Sequence, residues 1–173
     1  MKKGLVIVNT GNGKGKTTAA LGQAFRAMGY QYKVCVIQFI KGTWKYGELF
    51  TKNRFKDLLD FYVMGKGFTF KSENLEEDQR IARKGWEIAK EALLSDTYFM
   101  VILDELTYLL TYKFIDIDEV VSCIRNRRDN LHVIITGRDA PTEIVDIADL
   151  ITEMQVVKHP LKQGIKAQRG IEF

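Results

Sequence analysis

Apolar and polar positions along the chain fall into two alternating patterns. Short, nearly unbroken apolar runs occur at residues 4–9, 34–39, 60–64, 99–103, 132–136 and 150–157. The run at 34–39 is apolar on both faces of an extended chain, which is the habit of a buried parallel strand. Between these runs, apolar residues recur at helical spacing. Residues 16–28 place Ala20, Leu21, Ala24, Ala27 and Met28 on one face, a small-residue face that can lie close on a sheet. Residues 74–95 supply Ile81, Trp86, Ile88, Ala89, Ala92 and Leu93, with Trp86 read as core. Residues 116–128 supply Ile117, Val120, Val121 and Ile124, and shorter helices are expected at 49–59 and 141–148. Strand and helix alternate throughout, which predicts an α/β fold with a mostly parallel, about six-stranded sheet covered on both faces. Neither an internal repeat nor a linker interrupts residues 1–173, so one domain is expected.

Composition changes this picture little. With 46% hydrophobic and 28% charged residues, the 173-residue chain has the make-up of an ordinary globule. No apolar run approaches the roughly 20 residues of a membrane span. Met1-Lys2-Lys3 leads directly into the first strand, so neither a signal peptide nor a membrane partner is expected, and the chain is read as cytoplasmic. Cys35 and Cys123 stand alone, without metal-ligand spacing, and are expected as buried thiols. The formal charge of +4 is modest, and no basic stripe interleaved with aromatics marks a nucleic-acid partner.

The chemistry begins where the first strand ends. Gly11-Asn12-Gly13-Lys14-Gly15-Lys16-Thr17-Thr18 forms a glycine-rich loop that opens straight into an alanine-rich helix. Such a loop turns successive backbone N–H groups toward one centre, and the helix N-terminus adds its partial positive charge. This is the plan of a phosphate-binding P-loop, in which Lys16 reaches phosphate oxygens and the Thr17 hydroxyl serves Mg²⁺. Thr10 stands where the usual first glycine would be. A dinucleotide fold fails as a rival, because Lys16 occupies the third glycine of G-x-G-x-x-G and the second strand ends in Gln38-Phe39-Ile40-Lys41, without an acid for the ribose.

Other strand ends carry candidates too. The fourth strand runs into Asp104-Glu105, an apolar run closed by acids, as in a Walker B element that holds Mg²⁺. The fifth ends in Gly137-Arg138, where the arginine is expected to contact an anion; Arg26 is a solvated arginine or a phosphate contact. The loops after the second and third strands carry Trp44 and Phe68-Thr69-Phe70. Two aromatic loops on one rim suggest a flat apolar ligand.

Six stretches together resemble one family. They are residues 11–20, 38–44 and 64–69, with Leu103-Asp104-Glu105-Leu106, Ile135-Thr136-Gly137-Arg138 and Val157-Lys158-His159-Pro160. The set is similar to the P-loop type of ATP:corrinoid adenosyltransferase, in the same order and over nearly the whole chain. The resemblance implies a three-layer, RecA-like P-loop NTPase fold, often as a homodimer. It implies transfer of the 5′-deoxyadenosyl group of ATP to a Co(I) corrinoid with release of triphosphate, with Mg²⁺ or Mn²⁺, and an electron donor such as a flavodoxin-like protein or flavin reductase to make Co(I). By motif, Gly11, Asn12, Gly13, Lys14, Gly15, Lys16, Thr17 and Thr18 would bind the triphosphate, and Arg26 and Arg138 the nucleotide. Thr17 and Glu105 would serve the metal with Asp104 in support, and Trp44, Phe68, Thr69 and Phe70 would face the corrinoid.

Two departures bear on how tightly the corrinoid is held, not on the ATP site: Phe70 stands where the family usually has tryptophan, and the chain begins almost at its first strand, without the extension many members carry. No nucleophile and base pair stands out, and a Co(I) nucleophile needs none. The alternatives are a P-loop small-molecule kinase, which would release ADP, and a nucleotide-switched binding protein without transfer chemistry.

Overall fold

The computed structural model describes residues 3–42, 46–65 and 75–173. Its strands are β1 (Val6–Thr10), β2 (Val34–Gln38), β3 (Leu59–Val63), β4 (Met100–Asp104), β5 (His132–Thr136) and β6 (Leu150–Glu153). They pair in the order β3-β2-β4-β5-β1-β6. Every pairing is parallel, so the expected mostly parallel sheet is parallel throughout. All six C-terminal ends therefore open on one edge, where open α/β sheets hold their ligands.

Alternation along each buried strand divides the core in two. Val6, Val8, Cys35, Ile37, Val101, Leu103, Val133 and Ile135 point to one face. Ile7, Val34, Val36, Met100, Ile102 and Ile134 point to the other. Helix α1 (Lys16–Gly29) covers the second face with Ala20, Ala24, Ala27 and Met28, whose short side chains let the helix backbone approach the sheet. The first face is covered by α3 (Leu75–Leu94), α4 (Leu106–Thr111), α5 (Ile117–Arg125) and Ile144 of α6 (Thr142–Asp146). Helix α2 (Gly47–Lys52) packs beside β3 at the sheet edge. Three layers result, as the alternation predicts. Among the described residues no helix is long and apolar enough to cross a membrane.

Differences from the expected elements have local causes. Helix α4 is absent from the sequence reading, because the strand before it is closed by Asp104-Glu105 and the six residues after them are too few to show a helical repeat. The break is conformational: Glu105 takes φ 62° and starts the helix. Strand β6 ends at Glu153 rather than 157, because Met154, whose N–H still bonds Thr10 at the end of β1, turns its carbonyl to Gly13 of the loop that follows. Helix α5 ends at Arg125 rather than 128. Arg127 turns back to donate to the carbonyls of Ile124, Leu131 and Gly4, tying the end of α5 to the starts of β5 and β1. The second helix spans 47–52 rather than 49–59. Cys35 is buried as expected, whereas Cys123 is only half-buried, because its place on α5 lies at the helix flank.

Trp86 is fully buried on α3 and donates its indole N–H to Glu119 on α5 at 2.8 Å. Arg83 and Lys90 reach the same carboxylate at 3.0 and 3.1 Å. Burial works against ionisation of Glu119, but these bonds outweigh it and hold the carboxyl below its usual range. The tryptophan thus joins two helices across the layer. Trp86→Ala is expected to cost about 3–5 kcal/mol through the cavity it leaves. Glu119→Gln, which keeps the volume, should cost clearly less, with both read from urea unfolding midpoints.

Candidate nucleotide site

The loop after β1 is shaped by what lies behind it. Gly11 and Gly15 have φ of 92° and 110°, a region that side chains disfavour. A Cβ on Gly13 would lie 2.7 Å from the Met154 carbonyl, so the segment leaving β6 fits against bare backbone there. Gly13 N–H donates to Met154 O at 2.6 Å, and Met154 N–H to Thr10 O at 2.9 Å. The Lys16 ammonium spans the loop, donating to the carbonyls of Gly11 and Gly13 at 2.7 Å each. Burial first, and then the nearby Arg138, push its pKa down, against the pull of Glu105, Asp104 and Asp139. Lys16 and Thr17 open α1, whose free N–H groups face the same centre.

The carboxyl of Asp104 is the hub. Strand β5 lies between β1 and β4, and Thr136 at its end donates to Asp104 Oδ1 at 2.6 Å. Thr17 Oγ1 donates to that same oxygen at 2.8 Å, which ties α1 to β4. The other oxygen accepts from Gln38 Nε2 at 2.9 Å, and Gln38 Oε1 accepts from the Tyr46 hydroxyl at 2.5 Å. Asp104, Gln38 and Thr136 are all buried.

Glu105 stands one residue nearer the mouth, where its N–H donates to Thr136 Oγ1 at 2.9 Å. Burial, and next the repulsion of Asp104, push its carboxyl up to about 7, while Lys41, Lys16 and Arg138 pull it down. Gly137 follows β5 with φ 146°. A Cβ there would lie 1.9 Å from the Thr107 hydroxyl oxygen, so only glycine fits, and it delivers the exposed Arg138 to the edge.

The structure thus brings Gly11, Gly13, Gly15, Lys16, Thr17, Asp104, Glu105 and Arg138 to one place. Asn12 and Lys14 are exposed on the loop and Thr18 on the first turn of α1, and Lys14 pairs with Glu172 of the C-terminal segment at 3.5 Å. Arg26 is not brought there. It lies exposed in the last turn of α1, ten residues beyond Lys16 and so roughly 15 Å along the helix axis. Trp44, Phe68, Thr69 and Phe70 lie outside the described residues. Sequence reasoning assigns no role to Gln38, Tyr46, Thr136, Met154 or Glu172. The one available signal is Gln38, a polar side chain ending a strand buried on both faces, which must find a partner.

A glycine-rich loop opening a helix, with an acidic strand end one strand removed, defines a P-loop nucleotide-binding protein. The solved flagellar accessory protein FlaH from Methanocaldococcus jannaschii shares the fold, with a TM-score of 0.60, 13% identity, and coverage of 88% of this chain and 72% of that one. The chain belongs to the ATP:corrinoid adenosyltransferase family BtuR/CobO/CobP, whose profile matches residues 2–173. It is 44% identical to a corrinoid adenosyltransferase from Sinorhizobium sp over 99% of this chain and 81% of that protein. The corrinoid adenosyltransferases of Escherichia coli K12 and Pseudomonas aeruginosa are 45% and 40% identical over 99% of this chain, and over 87% and 85% of their own lengths.

The raised Glu105 pKa has a consequence for the free protein. The folded chain keeps a proton that the unfolded chain releases from about pH 4.5 upward. Stability from this group is present below pH 4.5 and is lost as the pH rises through about 7. Glu105→Gln should remove this dependence, worth roughly 1–3 kcal/mol. Urea melts in a metal chelator across that range check it, and equal slopes for both proteins would contradict the assignment.

Proposed function

We infer that this chain transfers the 5′-deoxyadenosyl group of ATP to the Co(I) centre of a corrinoid and releases triphosphate. The observation that carries the reading is the family's whole-chain match falling on a complete phosphate loop at the sheet's C-terminal edge. In the reaction the cobalt electron pair attacks the ribose C5′, the Co–C bond forms, and the C5′–O bond breaks. Its electrons leave on triphosphate, and cobalt passes from Co(I) to Co(III). No protein nucleophile or base is required. The chain's work is to hold the triphosphate and to stabilise the charge it gains.

Each residue has a part in that work. Backbone amides of the loop and of the start of α1, apart from Gly13 N–H, which is bonded to Met154, would bind phosphate oxygens with the Lys16 ammonium, and Arg138 would add charge from the end of β5. The Thr17 hydroxyl with the Asp104 and Glu105 carboxyls is a hard-oxygen set suited to Mg²⁺, or Mn²⁺, held beside phosphates and water. That ion would neutralise charge on the departing triphosphate. Thr17 would be the direct ligand, with its hydroxyl oriented by Asp104, and Glu105 would add a second carboxylate for the ion. Arg26 belongs to the nucleotide site only if a more distant part of ATP lies along α1. The loops after β2 and β3 open on the same edge, which supports Trp44, Phe68, Thr69 and Phe70 as corrinoid contacts. A homodimer, a cytoplasmic location and a flavodoxin-like or flavin-reductase donor for Co(II) complete the reading, supported by the family likeness.

Lys16→Ala removes charge-assisted contacts worth about 1.5–3 kcal/mol each, so kcat/KM for ATP should fall roughly 10- to 200-fold. The rate is followed by the absorbance change of a preformed Co(I) corrinoid on Co–C bond formation. Wild-type kinetics in a folded Lys16→Ala protein would contradict the site. Titrating Mg²⁺ against Asp104→Asn and Glu105→Gln then separates the two acids. The direct partner of the ion should show the larger rise in half-saturating Mg²⁺, and unchanged titrations for both would remove the metal role.

A further inference from the structure

We propose that Tyr46 and Gln38 are positioning residues that lock the Asp104 carboxyl, and through it the Thr17 hydroxyl, to the loop that follows β2. The proposal rests on the adenosyl-transfer reading only for the identity of the second substrate. Gln38 ends β2, a strand whose other four residues are Val34, Cys35, Val36 and Ile37, and it is fully buried. Both ends of its amide are committed, Nε2 to Asp104 Oδ2 at 2.9 Å and Oε1 to the Tyr46 hydroxyl at 2.5 Å.

The chemistry of the groups fixes the direction of this chain. A carboxylate can only accept, so Gln38 must turn its NH₂ toward Asp104 and its oxygen away. A buried amide oxygen then needs a donor, and the Tyr46 hydroxyl is that donor. Without it the amide oxygen would be left buried and unpaired, and the amide would gain by shifting off Asp104 to find another donor. Asp104 Oδ1 is already taken by Thr17 and Thr136. Gln38 therefore holds the other oxygen and sets the plane of the carboxyl that Thr17 meets.

Tyr46 is itself well anchored. It is buried and stands at the N-cap of α2, two residues after Trp44. The Lys41 ammonium lies 4.5 Å from its ring centre and 3.5 Å from Glu48. The loop after β2 thus ends in a side chain bonded, through one amide, to the carboxyl behind Thr17. A shift of that loop must move Asp104 or break a buried hydrogen bond. Loop position and the orientation of the Thr17 hydroxyl are therefore coupled, and such coupling is reciprocal between ligands that bind at the two places.

The test uses Tyr46→Phe, which keeps the ring and removes only the hydroxyl, with Gln38→Met as a second variant lacking both bonds. Dissociation constants for ATP are measured by thermal-shift titration with Mg²⁺ and again in EDTA. The readout is their ratio, which does not depend on the stability of the free protein. A lost neutral hydrogen bond predicts that Tyr46→Phe weakens binding about 5- to 10-fold with Mg²⁺, with little change in EDTA, and that Gln38→Met does so more strongly. A ratio equal to wild type in both variants overturns the proposal, whether or not they melt lower. An equal loss with and without Mg²⁺ also overturns it, since that is the mark of a general structural role. Adenosyl transfer by the wild-type protein is assayed separately, so failure of the function reading leaves the ratio test standing.

Discussion

Asp104 has 1% of its surface exposed, and a carboxyl that deep in an α/β sheet is tolerated only with donors around it. Among the described residues it has three, Thr17 from α1, Gln38 from β2 and Thr136 from β5. They come from separate parts of the chain, and only the order β2-β4-β5-β1 brings them to one point. Sheet topology and site geometry are thus a single constraint. Exchanging β5 and β1 in the sheet would carry Thr136 away from the acid, and lengthening the loop before α1 would move Thr17. The glycines fit into this frame: Gly13 lets Met154 press on the phosphate loop, and Gly137 makes room for Thr107.

The parts of the structure written in local pattern were legible in the sequence. The apolar run of β2 is buried on both faces, the His132–Thr136 strand falls where it is expected, and the small-residue face of α1 lies on the sheet. The glycine-rich loop announces its backbone conformation, because few other sequences place three glycines before Lys-Thr. What was not legible depends on residues distant in the chain. Tyr46 and Thr136 are ordinary in composition and gain meaning only when folding places them beside Gln38 and Asp104. Helix α4 is hidden by its shortness, six residues directly after the acids that close β4, and is set off by one residue at positive φ. Met154 was read as strand interior, yet its backbone turns off the edge to back the phosphate loop.

The site suits a reaction in which the substrate supplies the nucleophile. Its described cations and loop amides are of the kind that stabilise anions, and its two acids are of the kind that hold a metal ion beside phosphates. Lys16 and Arg138 stand close enough to Asp104 and Glu105 to act on their charges. It is family membership, rather than this arrangement of charge, that separates carbon–oxygen cleavage at the ribose from phosphoryl transfer.

The most direct test is the phosphorus product formed when the purified protein meets ATP, Mg²⁺ and a chemically reduced Co(I) corrinoid. The account predicts one triphosphate for each adenosylated corrinoid, resolved by phosphorus NMR, and none when the corrinoid is omitted. ADP and phosphate formed at the same rate with or without corrinoid would contradict it.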